Sequence, residues 1–154
     1  MSRLLVIRGG AIGDFILTLP ALKALRDTYP NAHIEILGYK QIAALAENRF
    51  YAQRVRSIES AALSRFFAKD ADLPPELVEY FAEFDLIVSY LFDPDLIFEA
   101  NLRRSGARKI VRGPAKIDCN LRNSLFYGRR PFMRNWLSDY RRGNDNCFTA
   151  HFRA

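Results

Sequence analysis

The chain has 154 residues, 49% hydrophobic and 26% charged, a composition typical of a soluble globular protein with a sizeable core. No apolar run approaches the ~20 residues of a membrane-spanning helix, and the first one ends at Gly9, too early for a signal peptide. Cys119 and Cys147 match neither a disulfide framework nor a metal-site spacing. We therefore expect a cytoplasmic protein without a metal.

The net charge of +6 is concentrated at the end of the chain. Residues 1–118 carry 16 Lys and Arg against 15 Asp and Glu, whereas residues 119–154 carry 7 Arg against 2 Asp. The later segment contains no Lys, Glu, Val, Ile or Gln. We therefore predict a folded domain over residues 1–118 and a basic, weakly ordered tail of anomalous composition over residues 119–154.

Short runs rich in Val, Ile and Leu alternate with helical patterns through the first segment. The predicted strands are Arg3–Ile7, His33–Leu37, Arg54–Ile58, Leu86–Leu91 and Lys109–Arg112. The predicted later helices are Gln41–Glu47, Glu76–Phe84 and Asp95–Arg104, with a loop of one or two helical turns over Glu59–Asp72. This alternation predicts a Rossmann-like α/β fold, in which helices flank a parallel sheet on both faces.

The first helical pattern follows the first strand, with apolar residues at helical spacing from Ile12 to Leu25. Pro20 lies inside this pattern and has no N–H to donate to a helical hydrogen bond. We therefore expect a kink or an early irregular turn there instead of an uninterrupted helix.

Residues 9–14, Gly-Gly-Ala-Ile-Gly-Asp, connect the first strand to this helix. In a structural interpretation, the glycines permit a tight turn and Asp14 caps the helix. A dinucleotide site would need the pattern Gly-x-Gly-x-x-Gly and an acidic residue at the end of the second strand. The glycines stand at 9, 10 and 13, and the second strand is followed by Gly38-Tyr39-Lys40. Both requirements fail, which argues against NAD.

A catalytic interpretation is also open. Open α/β sheets bind ligands beyond the carboxyl ends of their strands. A carboxylate near a helix N-terminus is stabilised as the anion, so Asp14 could accept a proton from a substrate hydroxyl. A well-placed general base typically contributes ~10²–10⁴-fold to the rate. Thr18, one turn later, could share the Asp14 face or belong only to the helix surface.

Residues 3–29, RLLVIRGGAIGDFILTLPALKALRDTY, resemble the amino-terminal signature of the family 9 glycosyltransferases, the ADP-heptose:lipopolysaccharide heptosyltransferases. The resemblance continues more loosely to about residue 117. Its ordered parts are a strand ending at Arg8, the Gly-x-x-Gly-Asp turn, Thr18-Leu19-Pro20-Ala21-Leu22 and Tyr29-Pro30.

The resemblance implies an inverting transfer of a heptose from ADP-heptose to a lipopolysaccharide core, with Asp14 as the general base. It also implies the amino-terminal, acceptor-side half of a GT-B fold, with the donor site mostly in a second domain that is not recognisable after residue 118. The donor is an ADP-sugar substrate, and no cofactor is expected. Because the leaving group would then lack stabilisation, we expect the isolated chain to be inactive.

We assign a group of residues around the turn to acceptor binding or to the turn itself. These residues are Arg8, Gly9, Gly10, Gly13 and Thr18. Further basic side chains could help to hold an anionic acceptor, although each taken alone fits a solvated surface charge. They are Arg54, Arg56, Arg65 and Lys69.

The change of composition near Asp118 is typical of out-of-frame translation. We hypothesise that the tail is a frameshift product, which the nucleotide sequence past codon 118, read in all three frames, would settle. The functional alternative is a non-enzymatic α/β module whose basic-aromatic tail binds an anionic membrane face or the phosphates and bases of a nucleic acid. Composition alone is weak support for nucleic acid.

Overall fold

The computed structural model describes residues 2–49 and 51–115. The tail over residues 119–154 lies outside the described residues. The strands are β1 (Arg3–Arg8), β2 (His33–Gly38), β3 (Arg54–Ser57), β4 (Leu86–Ser89) and β5 (Ile110–Arg112). The α-helices are α1 (Ile12–Thr28), α2 (Lys40–Ala43), α3 (Pro75–Ala82) and α4 (Ile97–Arg104). Short 3₁₀ helices span Ala44–Ala46 and Ala61–Phe67.

The five strands form one parallel sheet in the order β3-β2-β1-β4-β5. β1 is central, with Arg8 opposite Gly38 on β2 and Ile7 opposite Ser89 on β4. The strand order reverses between β1 and β4. This is the predicted Rossmann-like α/β fold, and in such sheets ligands bind outside the carboxyl ends of the strands at the point of reversal.

Side chains along a strand alternate between the two faces of the sheet. Helices cover both faces of the central strands. On one face lies an aromatic cluster, in which the rings of Phe66 and Phe81 are 4.9 Å apart. The strand residues packed with this cluster are Leu5, Ile7, Leu37 and Ile87. The side chains that α1 buries are Phe15, Thr18, Leu22, Leu25 and Arg26. Burial on both faces explains why β1, β2 and β4 are rich in apolar residues.

α1 is continuous through Pro20, so the expected interruption is wrong. Proline removes the N–H that would donate to the carbonyl of Ile16 one turn earlier. Both residues are exposed, so water can hydrogen-bond to that carbonyl while the helix continues. The buried face, with Thr18 and Leu22 on either side of the proline, keeps α1 packed on the sheet.

α4 begins two residues later than the sequence predicted. The two carboxylate oxygens of Asp93 accept hydrogen bonds from the N–H groups of Phe98 and Glu99, at 3.2 and 2.9 Å. Leu96, which lies between Asp93 and Phe98 in the sequence, has a left-handed backbone with φ of 58°. The helix therefore starts only after this turn, with its first N–H groups satisfied by an upstream aspartate.

A buried carboxylate lies in β2. Glu35 has no exposed surface, and its Oε1 accepts a hydrogen bond of 2.8 Å from the Tyr80 hydroxyl. Burial raises the pKa of Tyr80 above its usual range, and the Glu35 carboxylate adds to the shift. The Arg56 guanidinium carbon lies 4.3 Å from the centre of the Tyr80 ring, so Arg56 forms a cation–π contact with this residue of α3.

Replacing Phe81 by alanine is expected to lower the free energy of unfolding by about 3–5 kcal/mol, because truncating a fully buried ring leaves a cavity. The same truncation at Phe92, which is 78% exposed, should change that free energy by less than about 0.5 kcal/mol. Urea unfolding followed by circular dichroism measures both values. Equal losses at the two positions would contradict this packing.

Candidate active site

The turn between β1 and α1 lies at the carboxyl edge of the sheet, beside the reversal of strand order. Gly10 has φ of 97°, and a Cβ there would lie 2.8 Å from Oδ2 of Asp14. A Cβ on Gly9 would lie 3.2 Å from Cδ2 of Leu91, beyond β4. Only glycine fits at position 10, because both the backbone angle and the aspartate side chain require it.

Asp14 is the third residue of α1, and its side chain folds back over the turn. Its Oδ2 accepts a hydrogen bond of 3.2 Å from the N–H of Ala11. Alanine has no side-chain acceptor, so only this half of a capping box forms. The carboxylate therefore lies at the N-terminus of α1, and the Asp14 side chain remains 33% exposed.

Arg8 lies directly beneath this carboxylate, with a side chain that is only 2% exposed. Its Nη1 donates to the carbonyls of Tyr90, at 3.2 Å, and Ala115, at 2.8 Å. Its Nε donates to the main-chain carbonyl of Asp14, at 3.3 Å. One guanidinium thus connects the ends of β1 and α1 with the segments that follow β4 and β5.

The charges of Arg8 and Asp14 are close without forming a hydrogen bond. Nη2 of Arg8 lies 3.5 Å from Oδ1 of Asp14, and within residues 2–49 and 51–115 this buried nitrogen has no hydrogen-bond partner. The pair is therefore an electrostatic contact without a hydrogen bond. Burial lowers the pKa of Arg8, and the Asp14 carboxylate opposes this shift. A fixed positive charge lies under the exposed carboxylate.

The structure brings Arg8, Gly9, Gly10 and Asp14 together, with Gly13 exposed beside them. Thr18 is buried, so it does not lie on the helix surface, and its hydroxyl donates to the Asp14 carbonyl at 2.8 Å; its assignment to acceptor binding stays a prediction. Arg8 is buried and hydrogen-bonded to main-chain carbonyls. Its assignment to acceptor binding stays a prediction.

Tyr90 is a member of this site that the sequence analysis missed. It directly follows β4, at the sheet edge where ligands are expected, and this position was the available signal. Its ring centre lies 5.7 Å from the Arg8 guanidinium carbon. Burial raises the pKa of Tyr90 to about 12, and the charge of Arg8 opposes the shift. The phenol therefore stays protonated at neutral pH.

No family model and no curated protein matches this chain. Among solved structures, it is similar to the glycosyl transferase family 9 protein from Veillonella parvula, with a TM-score of 0.51 and 16% sequence identity. The similarity covers 75% of this chain and 36% of that chain, so the chain spans about a third of that protein's length. At this identity the likeness shows the fold, and it confirms the Rossmann-like α/β architecture.

Tyr90→Phe is expected to reduce the loss of stability between about pH 10 and pH 12. In the unfolded chain Tyr90 ionises near its ordinary pKa of 10.0, whereas burial holds the pKa of the folded chain at about 12. Stability is therefore fully present below about pH 10 and declines as the pH rises through this interval. Urea unfolding at about pH 9 and about pH 11 measures the decline. The same decline in both proteins would contradict this assignment.

Proposed function

We propose that the chain is the acceptor-side part of a glycosyltransferase, in which Asp14 is the general base. The observation that carries this proposal is the state of its carboxylate at the carboxyl end of β1. One oxygen is held by the Ala11 N–H, while in the described part of the chain the other accepts no hydrogen bond. The fold shared with a glycosyl transferase family 9 protein supports the reaction class.

The chemistry requires a base that is charged before the attack begins. In an inverting transfer, an acceptor hydroxyl forms a bond to the sugar's anomeric carbon while the bond to the leaving nucleotide breaks. A sugar hydroxyl is far less acidic than a carboxylic acid, so its proton moves to Asp14 late, as charge develops in the transition state. The buried guanidinium of Arg8 lies 3.5 Å from Oδ1 of Asp14, at the positive end of α1.

We further propose ADP-heptose as the donor and a lipopolysaccharide core as the acceptor, on the resemblance of residues 3–29 to the heptosyltransferases. Under this proposal, donor binding belongs to a second domain, and the isolated chain has no turnover. A lipid-borne acceptor would place the protein at the cytoplasmic, anionic face of a membrane. In residues 2–49 and 51–115, no helix has the length and apolarity to cross one.

Asp14→Asn is expected to weaken binding of lipopolysaccharide core oligosaccharide about tenfold, because the neutral amide is a poorer acceptor for a hydroxyl than the carboxylate. Titration of the ¹⁵N-labelled protein, followed by amide chemical shifts, measures the affinity and locates the site. Asp27→Asn, on an exposed residue at the other end of α1, is the matched control and should bind like the wild type.

The contradicting result would be the same affinity in wild type and Asp14→Asn. A second contradiction would be shifts confined to amides remote from residues 9–14. With ADP-heptose and the acceptor both present, the isolated chain should form no more product than Asp14→Ala, and turnover above that level would contradict the need for a second domain.

A further inference from the structure

The fold does not explain why residue 13 is a glycine. Gly13 is the second residue of α1, and its φ is not positive, unlike that of Gly10. A Cβ built on Gly13 would meet no atom within 4 Å beyond its neighbours and its own helix backbone. Glycine is also a poorer helix former than alanine. Packing and backbone geometry would therefore accept a Cβ at position 13. Helix propensity would favour alanine there.

Because Gly13 has no side chain, its main chain is exposed beside the Asp14 carboxylate. We call this exposed main chain the strip. The N–H of Gly13 is one of the first-turn donors that an α-helix leaves without an internal acceptor. In the described part of the chain no other group accepts it, and the residue is exposed. The side chains of Ile12 and Ile16 flank this strip and are about half exposed.

A second polar group at this position, on the buried Arg8 side chain, also has unused hydrogen-bonding capacity. Its Nη2 is directed at the helix N-terminus, 3.5 Å from Oδ1 of Asp14, and has no hydrogen-bond partner among the described residues. The positive end of α1 adds to this charge, and the Asp14 carboxylate is the anion that lies between them. The Gly13 N–H is therefore an unused donor at the N-terminus of α1, next to a carboxylate that can act as an acceptor.

We propose that Gly13 is a specificity-determining residue that admits a vicinal diol of the acceptor sugar. One hydroxyl donates to Oδ1 of Asp14, and the oxygen of the neighbouring hydroxyl accepts the N–H of Gly13. A donor and an acceptor on adjacent residues match the two oxygens of such a diol. A Cβ on residue 13 would project into the space that the sugar occupies. This inference rests on the proposed function, because the hydroxyl bound to Asp14 is the one that reacts.

Gly13→Ala tests the inference, since it adds one methyl group and retains the N–H. Its thermal unfolding temperature should exceed that of the wild type, because alanine favours the helix. Its affinity for lipopolysaccharide core oligosaccharide should fall about tenfold, the loss expected for one blocked hydrogen bond. Both quantities are measured on the full chain, by calorimetry and by the same amide titration.

Pro20→Ala is the matched control, on the exposed part of the same helix about two turns away. It restores a helical hydrogen bond, so it should also raise the unfolding temperature, but it should leave the affinity unchanged. This comparison separates a stiffer helix from a blocked ligand.

Three outcomes would overturn the inference. A lower unfolding temperature for Gly13→Ala would show that the fold itself requires the glycine. Wild-type affinity in Gly13→Ala, with weakened binding in Asp14→Asn, would reject the role of Gly13 while the proposed function stands. Absence of binding by the wild type would reject the proposed function and the inference together.

Discussion

The hydrogen bonds of the Arg8 guanidinium hold the carboxyl edge of the sheet together. Arg8 ends the central strand and donates to main-chain oxygens of Tyr90, Ala115 and Asp14, which lie on three other segments. A buried carbonyl that loses its donor costs about 1–3 kcal/mol, so these contacts are expensive to break. The geometry of the turn over residues 9–14 depends on them, because the same side chain lies beneath that turn.

The exposed carboxylate follows from this arrangement. Gly10 provides the positive φ and the space into which Asp14 folds, and the Ala11 N–H holds one of its oxygens. The other oxygen faces the Arg8 charge at a distance too long for a good hydrogen bond. A carboxylate with one oxygen held by a backbone N–H, and with no hydrogen bond to the other among the described residues, can serve both as a helix cap and as a base. The structural and catalytic interpretations of Asp14 are therefore compatible.

The sequence predicted the five strands and the position of Asp14, because short runs containing Val, Ile and Leu alternate with helical patterns and the turn has a distinctive glycine pattern. It did not predict the burial of Arg8, since arginine is usually exposed and its partners here are carbonyls distant in sequence. Helix continuity at Pro20 was also missed, because it depends on which face meets solvent. Periodicity identifies elements, whereas tertiary contacts decide how charges and prolines are accommodated.

The most direct test of this account is the unfolding free energy of Arg8→Met, measured in urea against Arg108→Met. Arg108 is exposed and forms a surface ion pair with Asp85, so its replacement should cost less than about 1 kcal/mol. Loss of the Arg8 guanidinium should cost more than about 2 kcal/mol, because several carbonyls lose their donors together. Equal and small effects of the two substitutions would contradict the central role of Arg8.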